Sequence, residues 1–406
     1  AGNGSAGEFG GGGGGVTINS AFGAVTLANI DVTGGDGIGQ RGGAGGAVSV
    51  SAANGTVTVL NVTTVGGAGG AGSHGGTGGH QAFIANVISL GGTTYNADSG
   101  SNGNANAGNV SFLSNIATLA ANVTVQTQGT GGGNDGAISF TGAVDATAAE
   151  TLTLTADTGT VSVAAIGQTT ALGGFTVSAS STGTATTTNL DGNISVDGAG
   201  ANIDIDRDGI VLHRAVTLDS DDGNVSINDL AGNGNSLTIT ADIDASVGVA
   251  SVDAISDVAD LSVSAGTTVV STDDISGSGN IVLRSDADNA GGENLTVGSN
   301  VSGSTVTLAT GTAGTANVII NGAIDNTAGS LSIVAQNAAN SVDLNADISS
   351  LGNLDITGQV EAAAARRTVV IEGLVVLDHL DRVLAVRAAD LHGAGAWSED
   401  TRARPS

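Results

Sequence analysis

Apolar residues that alternate with Thr or Ser recur along the middle of this chain, and a turn follows each copy. The copies begin 19 to 25 residues apart, at Leu152, Phe175, Ile194, Val216, Leu237, Leu261, Ile281, Val306, Leu331 and Leu354. Strict alternation places one side of an extended segment in a core and the other side toward solvent. Each copy therefore predicts a β-strand. Shorter apolar pieces between the copies, such as Val225-Ser-Ile, predict a second or third strand in each repeat.

A repeat of about 22 residues with two or three short strands cannot bury its apolar side chains alone. Stacking each repeat on the next makes a continuous core and pairs every strand with its neighbours above and below. The sequence thus predicts an all-β fold, a parallel β-helix (β-solenoid) with about 22 residues per coil, right-handed as parallel crossovers usually are. At about 4.8 Å per coil, residues 16–357 give roughly 15 coils and a rod about 70 Å long.

An array of antiparallel sandwiches is the competing fold for a chain rich in short strands. It predicts hairpin turns and units of about 100 residues separated by linkers. No such boundary is visible between Leu152 and Ile356. The repeat therefore favours the β-helix.

Composition divides the chain into three regions. Residues 1–150 contain 39 of the 68 Gly residues, in clusters that precede strand-like segments. We predict that this region is the same solenoid with Gly-rich loops protruding from its corners; a disordered Gly-rich spacer is the alternative. Residues 151–359 form the regular acidic solenoid. Residues 360–406 lose the strand-turn pattern, and we predict a C-terminal cap or tail, although an unrelated linker would look similar.

The acidic composition limits the partners of the protein. The net charge is −28, and of the 38 acidic residues only six are Glu and the other 32 are Asp. Such a surface repels nucleic acid and attracts divalent cations, so we expect no nucleic-acid partner. No apolar run reaches the roughly 18 residues of a membrane span. The chain begins at Ala1 without Met, as a mature exported form or a fragment would, and we expect a secreted or bacterial cell-surface location.

The absence of Cys excludes disulfides and thiolate metal sites, so any metal site must use oxygen or His ligands. The best local motif is Asp204-Ile-Asp206-Arg-Asp208-Gly, in which alternating carboxylates could wrap around a hard cation. The position of the bidentate Glu of an EF-hand loop is Ala215 here. Three further carboxylates, of Asp219, Asp221 and Asp222, lie roughly one coil later and are expected to face the first three. The six residues are our candidate calcium site, although Asp is also a common corner residue.

Catalysis is the second interpretation of the same cluster, because some parallel β-helices are polysaccharide lyases or hydrolases. Such an enzyme would use Asp204, Asp206, Asp208, His213, Arg214, Asp221 and Asp222. The sequence has no Lys and a single Tyr, Tyr95, so the basic groups and aromatic platforms for sugars are sparse. We therefore predict that the chain is not an enzyme.

Strands such as Val306-Thr-Leu and Asn224-Val-Ser, the Gly, Asn and Asp turns and the acidic bias resemble the bacterial β-strand-repeat surface proteins, the adhesins of filamentous-haemagglutinin type. The resemblance extends over residues 16–357 and rests on texture and repeat length. It implies secretion, surface display, and adhesion or matrix building. The expected partners are host or community surface glycans or proteins. An open solenoid end would also allow end-to-end self-association into filaments.

Overall fold

The computed structural model describes most of the chain as stacked β-strands. The described residues are 2–178, 187–242, 248–289, 291–312, 315–326, 329–335, 341–346, 348–350, 354–357, 359–362 and 369–371. Within these ranges no helix is present. The predicted all-β class is confirmed.

Short strands follow one another with turns between them, as the alternating pattern predicts. The first third contains β1 (Val16–Asn19), β2 (Val25–Leu27), β3 (Ile30–Asp31), β4 (Val48–Val59), β5 (Val62–Thr63), β6 (Gln81–Leu90), β7 (Thr94–Asn96), β8 (Val110–Leu113), β9 (Ile116–Leu119), β10 (Val123–Gln126), β11 (Ile138–Phe140) and β12 (Ala143–Ala146). The next part contains β13 (Thr151–Thr155), β14 (Val161–Val163), β15 (Gly174–Val177), β16 (Thr188–Leu190), β17 (Ile194–Val196), β18 (Ile203–Ile205), β19 (Ile210–Leu212), β20 (Val216–Ser220), β21 (Val225–Ile227), β22 (Leu230–Ala241), β23 (Ala250–Val252), β24 (Ile255–Ala265) and β25 (Val269–Ser271). The last part contains β26 (Ile275–Gly277), β27 (Asn280–Arg284), β28 (Leu295–Val297), β29 (Val301–Ser302), β30 (Thr305–Ala309), β31 (Val318–Ile320), β32 (Ile324–Asn326), β33 (Ser330–Val334), β34 (Ser341–Leu344), β35 (Ile348–Ser350), β36 (Leu354–Thr357), β37 (Gln359–Ala362) and β38 (Val369–Ile371).

Each coil contributes strands to three faces. The first face begins with β1 and the N-terminal half of β4, and the second begins with β2 and the C-terminal half of β4. Long bent strands such as β4 and β22 join these two faces into one 24-stranded sheet. The third face is a separate sheet of 14 strands that runs from β3 to β37. Fourteen strands at about 4.8 Å spacing make a rod about 60 Å long.

Parallel pairing between successive coils confirms the β-solenoid and contradicts the antiparallel sandwich. Third-face partners are 32 residues apart at Ile30 and Val62 but only 22 apart at Ile203 and Val225. The extra residues of the early coils lie in the turns, so the register of the strands is kept. Two isolated antiparallel bridges, Glu8 to Ile38 and Ala105 to Thr130, lie outside the strands. The right-handed sense remains a prediction from the rule for parallel crossovers.

Apolar side chains of all three faces meet in one core that runs from Val48 to Leu344. It is built mainly from Val, Ile, Leu and Ala. A cluster of four aromatic side chains, Phe83, Tyr95, Phe112 and Phe140, interrupts this pattern in the N-terminal half. The Tyr95 hydroxyl donates a 2.9 Å hydrogen bond to the carbonyl of Val59. The single Tyr is therefore a core residue and cannot serve as a sugar platform.

The Gly-rich clusters of the first 110 residues form an ordered layer on the corner between the third and first faces. We call this layer the glycine bundle. It has an outgoing stack (residues 33–38, 65–70 and 97–102) and a returning stack (residues 10–15, 42–47 and 75–80). In the outgoing stack, Gly34 and Gly37 donate backbone hydrogen bonds to the next coil, and in the returning stack Gly10 and Gly13 do the same. A donor at every third residue matches the three-residue turn of a polyproline II helix, whereas donors in a β-strand recur every second residue.

The amide groups next to these donors join the two stacks. Gly35 donates to the carbonyl of Gly11, Gly43 to Gly35, Gly67 to Gly43, Gly76 to Gly67 and Gly100 to Gly76, at 2.7 to 2.8 Å. Such close contact requires Gly, because a Cβ atom at Gly67 would lie 2.0 Å from the carbonyl oxygen of Gly35. The residue after each Gly pair, such as Asp36 or Ala44, is exposed. The Gly-rich loops are therefore packed structure, and the spacer alternative is wrong.

The N-terminal end of the rod presents open strand edges. Strands β1, β2 and β3 pair only with strands of the following coil among the described residues. Their core-facing side chains, such as Val16, Ile18 and Leu27, are only partly buried. Residues 2–8 bridge to Ile38 at the tip of the glycine bundle. The predicted cap or tail at residues 360–406 lies almost entirely outside the described residues.

Candidate functional site

The structure distributes the six carboxylates of the predicted calcium site over two faces and two corners of the solenoid. Asp204 lies on β18 of the third face, and Asp206 and Asp208 lie at the corner between the third and first faces. Asp219 lies on β20 of the second face, and Asp221 and Asp222 follow it at the corner between the second and third faces. The cluster is therefore not brought together.

Coil register explains why the expected convergence is wrong. The residue one coil after Asp204 is Ser226, which is 22 positions later. Asp219 follows Asp204 by only 15 positions, so it has reached another face and pairs with Ser195 and Thr240 of its own neighbours. Its carboxylate accepts a 2.7 Å hydrogen bond from the Thr240 hydroxyl. Across the described residues, no three His, Asp or Glu side chains form a ready-made metal-binding group.

The centre of the Asp-x-Asp-Arg-Asp-Gly motif is a buried cation. Arg207 is 1% exposed, and its Nη2 donates a 2.5 Å hydrogen bond to the carbonyl of Gly159. Burial lowers the pKa of Arg207 to about 10, and the charges of Asp157 and Asp135 oppose this shift. Chain alternation turns Arg207 inward while the neighbouring Asp206 and Asp208 stay exposed. The motif therefore builds a corner of the solenoid.

Another set of acidic residues does stack at that corner. Burial and the charges of Asp253, Asp208 and Asp273, in that order, raise the pKa of Asp229. Burial and the charge of Asp206 likewise raise the pKa of Asp204. Carboxylates on successive coils therefore repel one another along this corner.

Removing the charge of Asp229 is expected to stabilise the protein at neutral pH. Its folded-state pKa lies above the ordinary value of 3.8, so its favourable contribution is complete below that pH and is lost as pH rises through the folded pKa. The Asp229→Asn variant should raise the unfolding midpoint at neutral pH, and the gain should vanish below about pH 3.8. Thermal unfolding across this pH range measures the difference.

Asp274 provides a control of opposite sign. Hydrogen bonds from the Ser299 hydroxyl at 2.5 Å and the Asn300 amide at 3.0 Å lower the pKa of Asp274. Its contribution is present above the ordinary pKa and is lost as pH falls through the lower folded value. Asp274→Asn should therefore lower the midpoint at neutral pH. Equal shifts in the two variants would show that repulsion along the corner does not affect stability.

A cleft of about 260 Å³ on the second face is the best-formed surface site. It is lined by Gly167, Gln168, Asn193, Ile194, Ser195, Thr217 and Asp219. The cleft forms because one coil has no second-face strand: Ile166 makes only isolated bridges to Val144 and Ile194. Gly167 turns the chain at a φ of 68°. A Cβ atom there would lie 2.1 Å from the carbonyl oxygen of Ser195.

Hydrogen-bonding groups cover the walls of this cleft. The Gln168 amide donates to the carbonyl of Ile166 at 2.9 Å, and the Thr217 amide donates to Asn193 Oδ1 at 2.9 Å. The Ser195 hydroxyl and the second carboxylate oxygen of Asp219 also line the site. Amide, hydroxyl and carboxylate groups bind sugar hydroxyls, but the lining has no aromatic ring. Asp219 is the sole predicted site residue that lies in this cleft.

The enzyme hypothesis depends on residues that the fold separates. A glycosidase places two carboxyl groups about 5 to 10 Å apart across the scissile bond. Asp204 and Asp219 lie on different faces, and His213 forms an ion pair with Asp191 at 2.8 Å on the corner between the first and second faces. The cleft itself has one carboxylate among its lining residues. Its geometry suits binding better than acid-base chemistry.

No family model, curated protein or solved structure matches this chain. Within the described residues, no helix is long and apolar enough to span a membrane. The resemblance to bacterial β-strand-repeat proteins therefore stays a prediction, and function must be argued from the geometry.

Proposed function

We propose that this chain is an extracellular structural and adhesive β-solenoid, displayed at or secreted from a bacterial cell surface. The observation that carries the proposal is the open N-terminal end of a rod with an uninterrupted core. A rod about 60 Å long presents ordered rows of polar side chains over a large area. Such a surface suits adhesion or matrix building.

The N-terminal end supports self-association by coil stacking. Its strands β1, β2 and β3 offer unpaired backbone groups on one side, and Val16 and Ile18 leave apolar surface partly exposed. Strand edges that avoid aggregation usually carry Lys, Pro or inward-pointing charges, and the core-facing positions of these three strands have none. A coil from a second copy would extend both sheets. Because such a contact joins two different surfaces, repetition makes a filament.

A charge placed on this end is expected to abolish filaments. Ile18→Lys puts an ammonium group among the core-facing side chains of β1, where stacking would bury it at a cost of several kcal/mol. Thr17→Lys adds the same charge on the exposed side of the same strand. Negative-stain electron microscopy over a range of protein concentrations should show filaments for the unmodified chain and for Thr17→Lys, and isolated rods for Ile18→Lys.

The outcomes separate the two parts of the proposal. Short monodisperse rods of the unmodified chain at high concentration would overturn self-assembly and leave adhesion. Filaments that persist with Ile18→Lys would show that assembly uses another surface. Circular dichroism of each variant confirms that the solenoid has folded.

Surface glycans are the adhesive partner that the second-face cleft fits best. Its amide, hydroxyl and carboxylate groups match sugar hydroxyls, and its volume of about 260 Å³ accommodates about one sugar residue. The absence of a second carboxylate in its lining favours binding over hydrolysis. If soluble oligosaccharides do not bind to the purified rod, protein surfaces become the better candidates for adhesion.

A further inference from the structure

A loop of eight residues between β27 and β28 contains a second arrangement of carboxylates, distant in sequence from the six predicted above. Its sequence is Asp286-Ala-Asp288-Asn-Ala-Gly-Gly-Glu293. The loop lies at the corner between the second and third faces. Carboxylates in this spacing around a Gly turn are typical of loops that hold a hard cation.

Asp286 is the unusual member of this loop. Its side chain is 0% exposed, and its Oδ2 atom has no hydrogen-bond partner. Its Oδ1 atom accepts a long hydrogen bond of 3.2 Å from the Gly291 amide. A buried carboxylate oxygen without a partner is costly, since burial removes its water without replacement. The fold therefore holds a ligand atom in place that lacks a counterpart.

The other two carboxylates approach the same point. The Asp288 carboxylate lies within hydrogen-bond reach of the Asp286 carboxylate. The Glu293 carboxylate packs against Gly291, where a Cβ atom would lie 2.0 Å from Glu293 Oε2. This Oε2 atom is also buried and without a partner. Two unpaired buried oxygens and a carboxylate in contact with another carboxylate require either a proton or a cation between them.

The backbone of the loop is fixed from both sides. Asp286 and Asn289 have φ values of 49° and 56°, which are left-handed conformations. The Asn289 side-chain oxygen accepts hydrogen bonds from the amide and the hydroxyl of Thr312 at 2.8 and 3.0 Å. The Ser285 hydroxyl donates to the carbonyl of Glu293 at 3.1 Å. The next coil therefore holds the loop in the conformation that presents the carboxylates.

We propose that this loop binds a calcium ion through the carboxylates of Asp286, Asp288 and Glu293. The three side chains do not form a complete coordination shell. Binding draws Asp288 and Glu293 inward around the fixed Asp286, and backbone carbonyls and water complete the six to eight oxygen ligands that calcium takes. Calcium fits better than magnesium, which demands a near-ideal octahedron that this set does not present.

Calcium-dependent unfolding of the full chain tests the site. Millimolar calcium, compared with chelator, should raise the unfolding midpoint by roughly 5 °C when calcium is at about a hundredfold excess over its dissociation constant. Isothermal titration calorimetry with calcium chloride should show one site. Asp286→Asn and Glu293→Gln should each abolish both signals. The matched controls Asp206→Asn and Asp221→Asn, taken from the separated carboxylates, should retain them.

Three results would overturn the proposal. The first is an unfolding midpoint that calcium does not change. The second is a calcium effect that persists in Asp286→Asn and Glu293→Gln but is lost in Asp206→Asn or Asp221→Asn, which would place the ion elsewhere. The third is stabilisation of the calcium-free protein by Asp286→Asn with no calcium effect in the unmodified chain, which would show that a proton fills the gap. Glu293 is only half-buried, so its variant stays informative if Asp286→Asn does not fold.

Discussion

Replacing Phe112 with alanine is expected to lower the free energy of unfolding of the N-terminal half by about 3 to 5 kcal/mol. Phe112 is fully buried at the centre of the aromatic cluster. Its ring centroid lies 5.4 Å from that of Phe83 and 4.5 Å from that of Phe140, both stacked, and 5.5 Å from Tyr95 in an edge-to-face arrangement. Strand register places Phe83, Phe112 and Phe140 directly above one another. Truncation therefore removes three ring contacts at once and leaves a cavity across three coils.

Phe22 is the matched control, because its side chain is 91% exposed. Phe22→Ala should change stability by no more than about 0.5 kcal/mol. A solenoid need not unfold in one step, so urea unfolding should be combined with hydrogen exchange resolved along the chain. Faster exchange confined to β6, β8 and β11 is the expected pattern for Phe112→Ala. Similar effects of both variants would contradict the cooperative aromatic cluster.

The alternating pattern was sufficient to predict the fold. Val216-Thr-Leu-Asp and Leu237-Thr-Ile-Thr are strand segments, and they pair in parallel with every Val or Leu facing inward. This works because period-two alternation has one solution once repeats are stacked. Spacing between copies did not need to be regular, since the turns absorb the differences in length.

The candidate site was harder to predict, because it depends on register and not on spacing. Asp204 and Asp219 were placed one coil apart by an average period, whereas the local coil is 22 residues long and the true neighbour is Ser226. The loop from Asp286 to Glu293 carried a readable signal that was missed, namely carboxylates around a Gly-Gly turn. Whether an oxygen atom in such a loop is buried and unpaired can be seen only in the fold.

Gly-rich clusters were predicted as corner loops, but their packing was not. A Gly-Gly-x period of three is visible at Gly42 to Gly46 and at Gly75 to Gly79. Its meaning emerges only when two stacks meet, because the hydrogen bonds that use the paired Gly residues connect segments about 8 and 24 residues apart in alternation. Composition alone could not distinguish this arrangement from a flexible spacer.

A single methyl group inside the glycine bundle is expected to disrupt it. In Gly67→Ala the new Cβ atom would lie 2.0 Å from the carbonyl oxygen of Gly35. That backbone cannot rotate away, because the Gly35 carbonyl also accepts the hydrogen bond of Gly43. The variant should lose about 1 to 3 kcal/mol of local stability. Hydrogen exchange of residues 33–47 and 65–80 should accelerate, with little change beyond the bundle.

Gly12→Ala makes the same chemical change at an outward position of the returning stack. Its Cβ atom would have no neighbour closer than 3.9 Å, the carbonyl oxygen of Ala44. This variant should be neutral or gain about 0.4 to 1 kcal/mol, because alanine restricts the unfolded chain more than glycine does. If Gly67→Ala were as well tolerated as Gly12→Ala, the two stacks would not be in contact and the Gly-rich segments would behave as loops. A selective effect of Gly67→Ala would instead establish that the bundle is a packed layer, which stiffens the same end of the rod whose open strand edges are proposed to receive the next molecule.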